Sequence, residues 1–159
     1  MTTFEAEPAD LAILVVASYR VVVDRLLAGH RAIGLGQVRP RHGFVIRAVA
    51  AELPDINRLA VLLDTTKQAA SKLADSMVRG GFLERFPDPA DRRRVRLRLT
   101  PRGERVRRGA IATSGAIERE LERSLGPRQV RALRKGLETL LATNGAGDEA
   151  RASRARPVW

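Results

Sequence analysis

The chain has 159 residues, which is room for one domain with a single core. Hydrophobic residues make up 44% of it and aromatic residues only 4%, which excludes a disordered chain and argues against a β-sandwich. The net charge of +11 suits a polyanionic partner, and the lack of cysteine excludes disulfides, thiolate chemistry and cysteine-based zinc sites.

The beginning of the sequence, MTTFEAEPAD, has acidic residues and no basic segment, so no signal peptide is predicted. No apolar run approaches the roughly 18 residues of a membrane span. We therefore expect a cytoplasmic protein without membrane contact, with one domain over residues 9–143, a flexible start at 1–8 and a disordered tail at 144–159. With only two histidines, neither a metal nor another cofactor is expected.

Residues 9–28 are apolar on almost every side, with Asp10 placed to cap a helix. Their many valines favour a strand by propensity. Twenty residues without a turn signal are too long for an ordinary strand, so we interpret the segment as a helix that is buried on several sides. Such a helix needs a partner, either within the chain or from a second copy.

Three shorter helices are predicted next. The first covers about Arg41 to Glu52, the second follows Asp55 to about Leu63, and the third runs from about Thr66 to Arg79. Thr65 and Gln68 have the spacing of a capping box for the third helix, and Gly80 and Gly81 end it. In that helix one face is apolar and packs, while the opposite face is polar and available; its members are Lys67, Gln68, Ser71, Lys72 and Asp75.

A hairpin is predicted between this helix and the next. The strand FLERF is followed by the turn PDPAD and the strand VRLRLT, whose alternation separates a leucine face from an arginine face. Thr100 and Pro101 then begin a helix to about Leu125, and Gly126 and Pro127 separate it from a final helix. The sequence thus predicts a mainly α fold with a small two- or three-stranded β-wing.

Two helices joined by a tight turn and followed by a basic hairpin have the order of a winged helix-turn-helix. A helix fits the major groove of double-stranded DNA, and a slim basic hairpin can reach phosphates or the minor groove beside it. At Asn57 to Val106 the sequence NRLAVLLDTTKQAASKLADSMVRGGFLERFPDPADRRRVRLRLTPRGERV resembles the MarR-type transcriptional regulators, most of all from Asp91 to Gly103. One departure is Asp64, where such proteins commonly have glycine in the turn.

The resemblance implies a homodimer that binds operator DNA, commonly a repressor released by a small effector. It implies a DNA-binding lobe at about 37–103 and dimerisation helices at about 9–29 and 104–143. It places base and backbone contacts on the third short helix and the wing tip, with Asp91 holding Arg93 by a charge-assisted hydrogen bond. The predicted DNA-binding residues are Thr65, Thr66, Lys67, Gln68, Ser71, Lys72, Asp91, Arg92, Arg93 and Arg94.

Two residues are candidates for an effector site. Arg20 lies inside the apolar first helix, where it either pairs across a dimer or binds an anionic effector. His42 lies beside the helix that borders the effector pocket in this family, although a lone histidine is more often a hydrogen-bonded structural residue. A small aromatic acid or phenol is the expected ligand.

Two other classes of function are weighed against a DNA-binding regulator. An enzyme is not expected, because the sequence has no HExxH, no GxSxG and no glycine-rich phosphate loop. A basic helical adaptor that associates with DNA or RNA, without an effector response, is the nearer alternative. Its basic residues should line one amphipathic helix or alternate with stacking aromatics, whereas here they cluster on a hairpin.

Overall fold

The computed structural model describes residues 10–143, which form six α-helices and one two-stranded antiparallel sheet. The predictions of a flexible start at residues 1–8 and a disordered tail at 144–159 concern residues outside the described range. In chain order the elements are α1 (Leu11–Ala32), α2 (Pro40–Glu52), α3 (Ile56–Leu62), α4 (Lys67–Arg79), β1 (Leu83–Pro87), β2 (Val95–Leu99), α5 (Pro101–Leu125) and α6 (Pro127–Thr143). The predicted fold class, mainly α with a two-stranded wing, is confirmed.

The core lies in the lobe formed by α2, α3, α4, the sheet and the beginning of α5. These elements pack aliphatic side chains against one another, as expected for a chain with few aromatic residues. Fully buried side chains come from each of them: Val45, Val49, Leu59, Ala70, Ala74, Met77, Leu83, Leu97 and Val106.

α1 begins where the sequence predicted but has different surroundings. The side chain of Asp10 accepts a hydrogen bond from Ile13 N at 2.8 Å, which confirms the cap. The helix continues past Gly29, which lies so close to α5 that an added Cβ would be 2.6 Å from Thr113 Oγ1, and it ends before Gly34 at φ 76°. The expectation of burial on several sides is wrong for the chain alone: residues 11–21 are exposed, because only the C-terminal part of α1 packs against α5.

The turn between α3 and α4 closes as a Schellman motif. Asp64 takes the left-handed conformation at φ 50°, which aspartate tolerates better than most residues. Asp64 N donates to Val61 O at 3.2 Å and Thr65 N donates to Ala60 O at 3.0 Å. The departure from glycine at this position therefore leaves the bend intact.

The predicted capping box of α4 is wrong by one residue. Thr65 is used to end α3, so the cap of α4 is Thr66, whose Oγ1 accepts from Ala69 N at 3.2 Å. The apolar face of α4 lies as predicted, with Ala70, Ala74 and Met77 fully buried. The packing of these residues therefore fixes which face of α4 is turned to solvent.

The hairpin pairs Leu83 with Leu99 at its base and Pro87 with Val95 near its tip. β1 begins one residue later than predicted, because Phe82 N donates to Met77 O at 2.9 Å and thereby still belongs to the turn that ends α4. Val95 shares the side of Leu97 but lies beyond the core and is half exposed. Thr100 and Pro101 begin α5 as predicted, with Thr100 Oγ1 accepting from Gly103 N at 3.1 Å.

Candidate nucleic-acid interface

The exposed face of α4 carries most of the predicted helix contacts. Lys67, Gln68 and Lys72 are exposed, and Ser71 is partly exposed between them. This polar face is opposite the buried alanines and Met77, so core packing determines which side chains α4 presents. Thr65 is partly exposed, and Thr66 is exposed while its hydroxyl caps the helix.

The wing tip presents three consecutive arginines to solvent, Arg92 to Arg94. The side chain of Arg93 is 93% exposed, and its Nε donates to Asp91 Oδ1 at 3.2 Å, as the sequence predicted. The same carboxylate oxygen accepts from Arg93 N at 3.1 Å, and Asp91 O accepts from Arg94 N at 2.8 Å. Asp91 therefore orders both the backbone of the tip and one guanidinium.

The strand arginines of the wing are paired with carboxylates within the chain, so the basic face that the sequence predicted is partly neutralised. Arg98 Nε donates to Glu84 at 2.7 Å, and its guanidinium lies 5.1 Å from the centre of the Phe86 ring. Arg85 donates to Asp75 of α4 at 2.7 Å. Because these carboxylates neutralise the strands, the unbalanced positive charge of the wing is concentrated at its tip.

One residue that the sequence analysis missed is Asp88, at the base of the tip. Its side chain is buried, accepts from Ala90 N at 2.9 Å and accepts from Arg96 Nε at 2.6 Å. The hydrogen bond from Ala90 N–H and the Arg96 guanidinium hold the pKa of Asp88 below its usual range. The Asp-Pro pair at the turn was the available signal, because aspartate commonly accepts from the backbone two residues later.

α4 and the wing tip lie on the same side of the lobe. A shallow cleft between them is lined by Lys67 of α4, Arg94 of the tip and the beginning of α3 at Asp55 and Asn57. A second cleft flanks α4 on its other side, where Arg41 of α2 lies near Thr65 and Ala69. The structure therefore brings Lys67 of α4 and Arg94 of the tip to one cleft. We call the exposed face of α4, this cleft and the tip arginines Arg92 to Arg94 the α4–wing surface.

The two candidate effector residues lie in different settings. Arg20 is exposed on α1. His42 is buried near the beginning of α2, where its Nδ1 accepts from Arg39 N at 3.3 Å and its ring lies 6.0 Å from that of Phe82. Burial, followed by the charges of Arg41 and Arg39, lowers the pKa of His42 to about 4. His42 is therefore neutral near pH 7, with Nδ1 already engaged.

Other kinds of site find no support in the described part of the chain. Between residues 10 and 143 no three histidine, aspartate or glutamate side chains are grouped so that they could hold a metal ion. Over the same range, no helix has the length and apolar character needed to cross a membrane.

Comparisons with known proteins agree with this geometry. A family model described as "MarR family" matches residues 37–94, which contain α2, α3, α4, β1 and the wing tip. No curated protein sequence matches the chain.

Solved structures resemble the fold over most of the chain. FabT of Streptococcus pneumoniae, solved in complex with DNA, has a TM-score of 0.71 at 18% identity over 85% of this chain and 95% of its own. The reduced form of MarR from E. coli has a TM-score of 0.67 at 21% identity, over 85% and 98% of the two chains. The transcriptional regulator Tm0710 of Thermotoga maritima has a TM-score of 0.60 at 23% identity, over 85% and 96%. The resemblance to the MarR family is thereby confirmed: residues 37–94 match its family model, and the described chain has the winged-helix fold of MarR-type transcriptional regulators.

Proposed function

We propose that the protein is a homodimeric regulator of transcription that binds operator sites in double-stranded DNA. The observation that carries the proposal is the α4–wing surface, where Lys67 of the exposed α4 face and Arg94 of the wing tip border one cleft and Arg92 and Arg93 are exposed beside Arg94. A net charge of +11 favours a polyanion as the partner. Two proteins of similar fold were solved on nucleic acid: FabT in complex with DNA, and MepR of S. aureus bound to an oligodeoxyribonucleotide.

The two parts of the surface have different roles in the proposal. α4 enters the major groove, where the amide of Gln68 and the ammonium of Lys72 can meet base edges. The tip arginines lie along the phosphates or in the adjacent minor groove, where a narrow groove attracts guanidinium groups. Asp91 accepts from Arg93 Nε, and the Arg93 side chain is 93% exposed. Thr65, Thr66, Lys67 and Ser71 complete the helix side as backbone or base contacts.

Dimerisation is the second part of the proposal. The N-terminal half of α1 and the outer side of α6 expose large apolar side chains that a second copy would cover. The exposed members include Leu11, Ile13, Leu14, Val16, Val21, Leu133, Leu137, Leu140 and Leu141. A two-fold dimer would read an inverted repeat whose half-sites lie about one DNA turn apart, roughly 10 to 10.5 bp, or a multiple of it.

Selection of binding sites tests the proposal directly. The full-length protein is incubated with a random library of duplex DNA, the bound fraction is sequenced, and the DNA upstream of the protein's own gene is footprinted. We expect an inverted repeat, with an affinity that falls by about 0.9 log units per log unit of salt for each phosphate neutralised. A protein that selects no sequence, or whose binding is insensitive to salt, contradicts the proposal and favours the adaptor.

Regulation by a ligand is the third part of the proposal. The protein acts as a repressor that releases DNA when a small aromatic acid or phenol binds between the helices of the dimer and the DNA-binding lobe. Such a ligand acts only if it binds the arrangement that is incompetent for DNA more tightly. Arg20 is the proposed contact for the anionic group of the ligand. His42 can donate its Nε2–H to the ligand, because its Nδ1 accepts from Arg39 N. A chain without cysteine has no thiol for peroxide to oxidise.

Titration of benzoates and phenols against the protein–DNA complex tests this part. Release by an aromatic acid should weaken in Arg20→Ala or His42→Ala. Release that is unchanged in both variants would refute the residue assignment, and release of the purified protein by peroxide would refute the reversible-ligand mechanism.

A further inference from the structure

We propose that Asp88 is a positioning residue for DNA binding, because its buried carboxylate fixes the backbone of the wing tip and thereby presents Arg92, Arg93 and Arg94 in one arrangement. The inference rests on the proposed function. It adds a residue that contacts no DNA itself and acts through its neighbours.

The carboxylate of Asp88 joins three parts of the hairpin. Oδ1 accepts from Ala90 N at 2.9 Å inside the tip, and Oδ2 accepts from Arg96 Nε at 2.6 Å on β2. The backbone of Asp88 closes the same loop, since its N–H donates to Arg94 O at 2.9 Å. One residue therefore holds the beginning, the inside and the end of the tip.

Asp88 differs from the other acidic residues of the hairpin in burial. It is 4% exposed, whereas Glu84 and Asp91 are partly exposed. A buried carboxylate costs free energy unless hydrogen bonds and an opposite charge compensate it. Both are present at Asp88. Because the carboxylate is covered, it cannot touch a phosphate or a base, so any effect on DNA must pass through the tip.

A fixed tip favours binding through conformational entropy. The arginines are long and exposed, and ordering such side chains on binding reduces affinity. When the backbone below them is already fixed, only the side chains remain to be ordered. The hydrogen bonds of Asp88 to Ala90 N and Arg96 Nε are therefore expected to improve DNA affinity, although Asp88 itself does not contact DNA.

The direction in which Asp88→Asn changes DNA affinity distinguishes a positioning role from a purely electrostatic one. Asp88→Asn removes one negative charge near DNA, and charge alone predicts tighter binding. Positioning predicts weaker binding. Asparagine has one acceptor oxygen in place of two, so when that oxygen accepts from Ala90 N, its NH2 group faces the N–H of Arg96 Nε and the hydrogen bond to Arg96 is lost. We expect affinity to fall about tenfold.

Glu84→Gln is the matched control. Glu84 pairs with Arg98 on the same hairpin at 2.7 Å, but both residues are on the strands, away from the tip. This variant removes the same charge and frees a guanidinium, so binding should stay unchanged or become about twofold tighter.

The experiment measures affinity of the full-length variants for a duplex selected by the wild-type protein, at one fixed salt concentration. Amide hydrogen exchange of the free proteins is measured in parallel. In Asp88→Asn the amides of Ala90 and Arg94 should exchange faster, while amides of the α4 core keep their protection. In a background with Arg92, Arg93 and Arg94 all changed to alanine, Asp88→Asn should cause no further loss of affinity.

Each outcome decides the question. Asp88→Asn that binds as well as wild type, or better, overturns the inference and leaves the proposed function standing. An equal loss in the background without tip arginines also overturns it, because the effect would then be a general loss of structure. A wild-type protein that selects no duplex overturns the proposed function and the inference together.

Discussion

At the scale of single residues, His42 shows how a polar group can be placed for structure. Its ring lies in the core beside Phe82, and its Nδ1 accepts from the backbone of Arg39 at the beginning of α2. An accepting nitrogen must be unprotonated, and two neighbouring arginines oppose a positive charge. Burial, Arg41 and Arg39 therefore act together to keep the imidazole neutral in the folded state.

This neutrality predicts an acid-sensitive fold. The pKa of His42 is about 4 in the folded chain against its ordinary value of 6.5, so the unfolded chain binds the proton more readily. The contribution of His42 to stability is complete above about pH 6.5 and is lost as the pH falls towards 4. We expect a loss on the order of 2 kcal/mol after allowance for solvent screening.

Urea unfolding between pH 7 and pH 4 measures this loss. His42→Asn, which does not titrate, should show a flatter pH dependence of the free energy of unfolding over that range. An unchanged slope in His42→Asn would assign the effect to the carboxylates instead.

Gly103 marks a close approach of α5 to the residue that precedes β1. An added Cβ would lie 2.1 Å from Phe82 O, an atom of the backbone that also accepts from Thr100 N at 3.1 Å. Gly103→Ala must therefore displace α5 from β1, and we expect it to reduce the free energy of unfolding by about 1 to 3 kcal/mol.

Gly43→Ala is the matched control for Gly103→Ala. Gly43 lies within α2 and has no atom near the added Cβ, so alanine should stabilise the protein by roughly 0.5 to 1 kcal/mol. Thermal or denaturant unfolding of both variants checks the pair. Equal effects of the two substitutions would contradict the close approach.

At the scale of elements, the sequence predicted what local chemistry determines. Asp10, Asp55 and Thr100 each accept from the backbone N–H three residues later, and such caps depend only on neighbours in the chain. The basic hairpin and the polar face of α4 follow from periodicity in the same way. These local signals sufficed for the order of the elements and for the candidate surface.

What the sequence did not reveal depends on contacts between distant residues. Glu84 pairs with Arg98 only because the hairpin register places them opposite each other. Arg85 meets Asp75 because β1 packs against α4. Alternation along a strand shows which face an arginine occupies, but the carboxylates that neutralise it become visible only in the folded chain.

This pairing predicts different consequences for two arginines of the wing. Arg98→Ala removes a guanidinium that Glu84 and the Phe86 ring already engage, so its effect on DNA affinity should be small. Arg93→Ala removes a side chain that is 93% exposed at the tip, and we expect weaker binding to many sequences. Binding of both variants to the selected duplex measures the difference, and equal losses would contradict it.

α4 should respond differently from the wing. Gln68→Ala or Lys72→Ala should change which sequences are preferred, at about 1 to 3 kcal/mol for a lost base contact. Selection from the random library with each variant distinguishes altered preference from a uniform loss of affinity. A uniform loss in Gln68→Ala would place the glutamine on the backbone of DNA instead of on a base.

At the scale of the whole molecule, most of the exposed apolar side chains lie away from the α4–wing surface. α1 and α6 carry most of the large exposed aliphatic side chains, whereas the exposed face of α4 and the wing tip are polar and basic. α1 is also rich in valine, which has a modest helix propensity, and its N-terminal half has little packing within the chain. Such a helix depends on packing for its stability, which a second copy would supply.

Substitution of an apolar residue in α1 should therefore separate the subunits and loosen the helix together. Val16 is 70% exposed in the single chain, and Val16→Asp would place a charge where the proposed dimer excludes water. We expect a monomer by sedimentation equilibrium, with reduced helicity by circular dichroism and weak binding to the inverted repeat.

Val61→Asp is the control for Val16→Asp. Val61 of α3 is 68% exposed but lies outside α1 and α6, so this variant should remain a dimer. A wild-type protein that sediments as a monomer, or a Val16→Asp variant that stays dimeric with full helicity, would show that the apolar side of α1 has another partner.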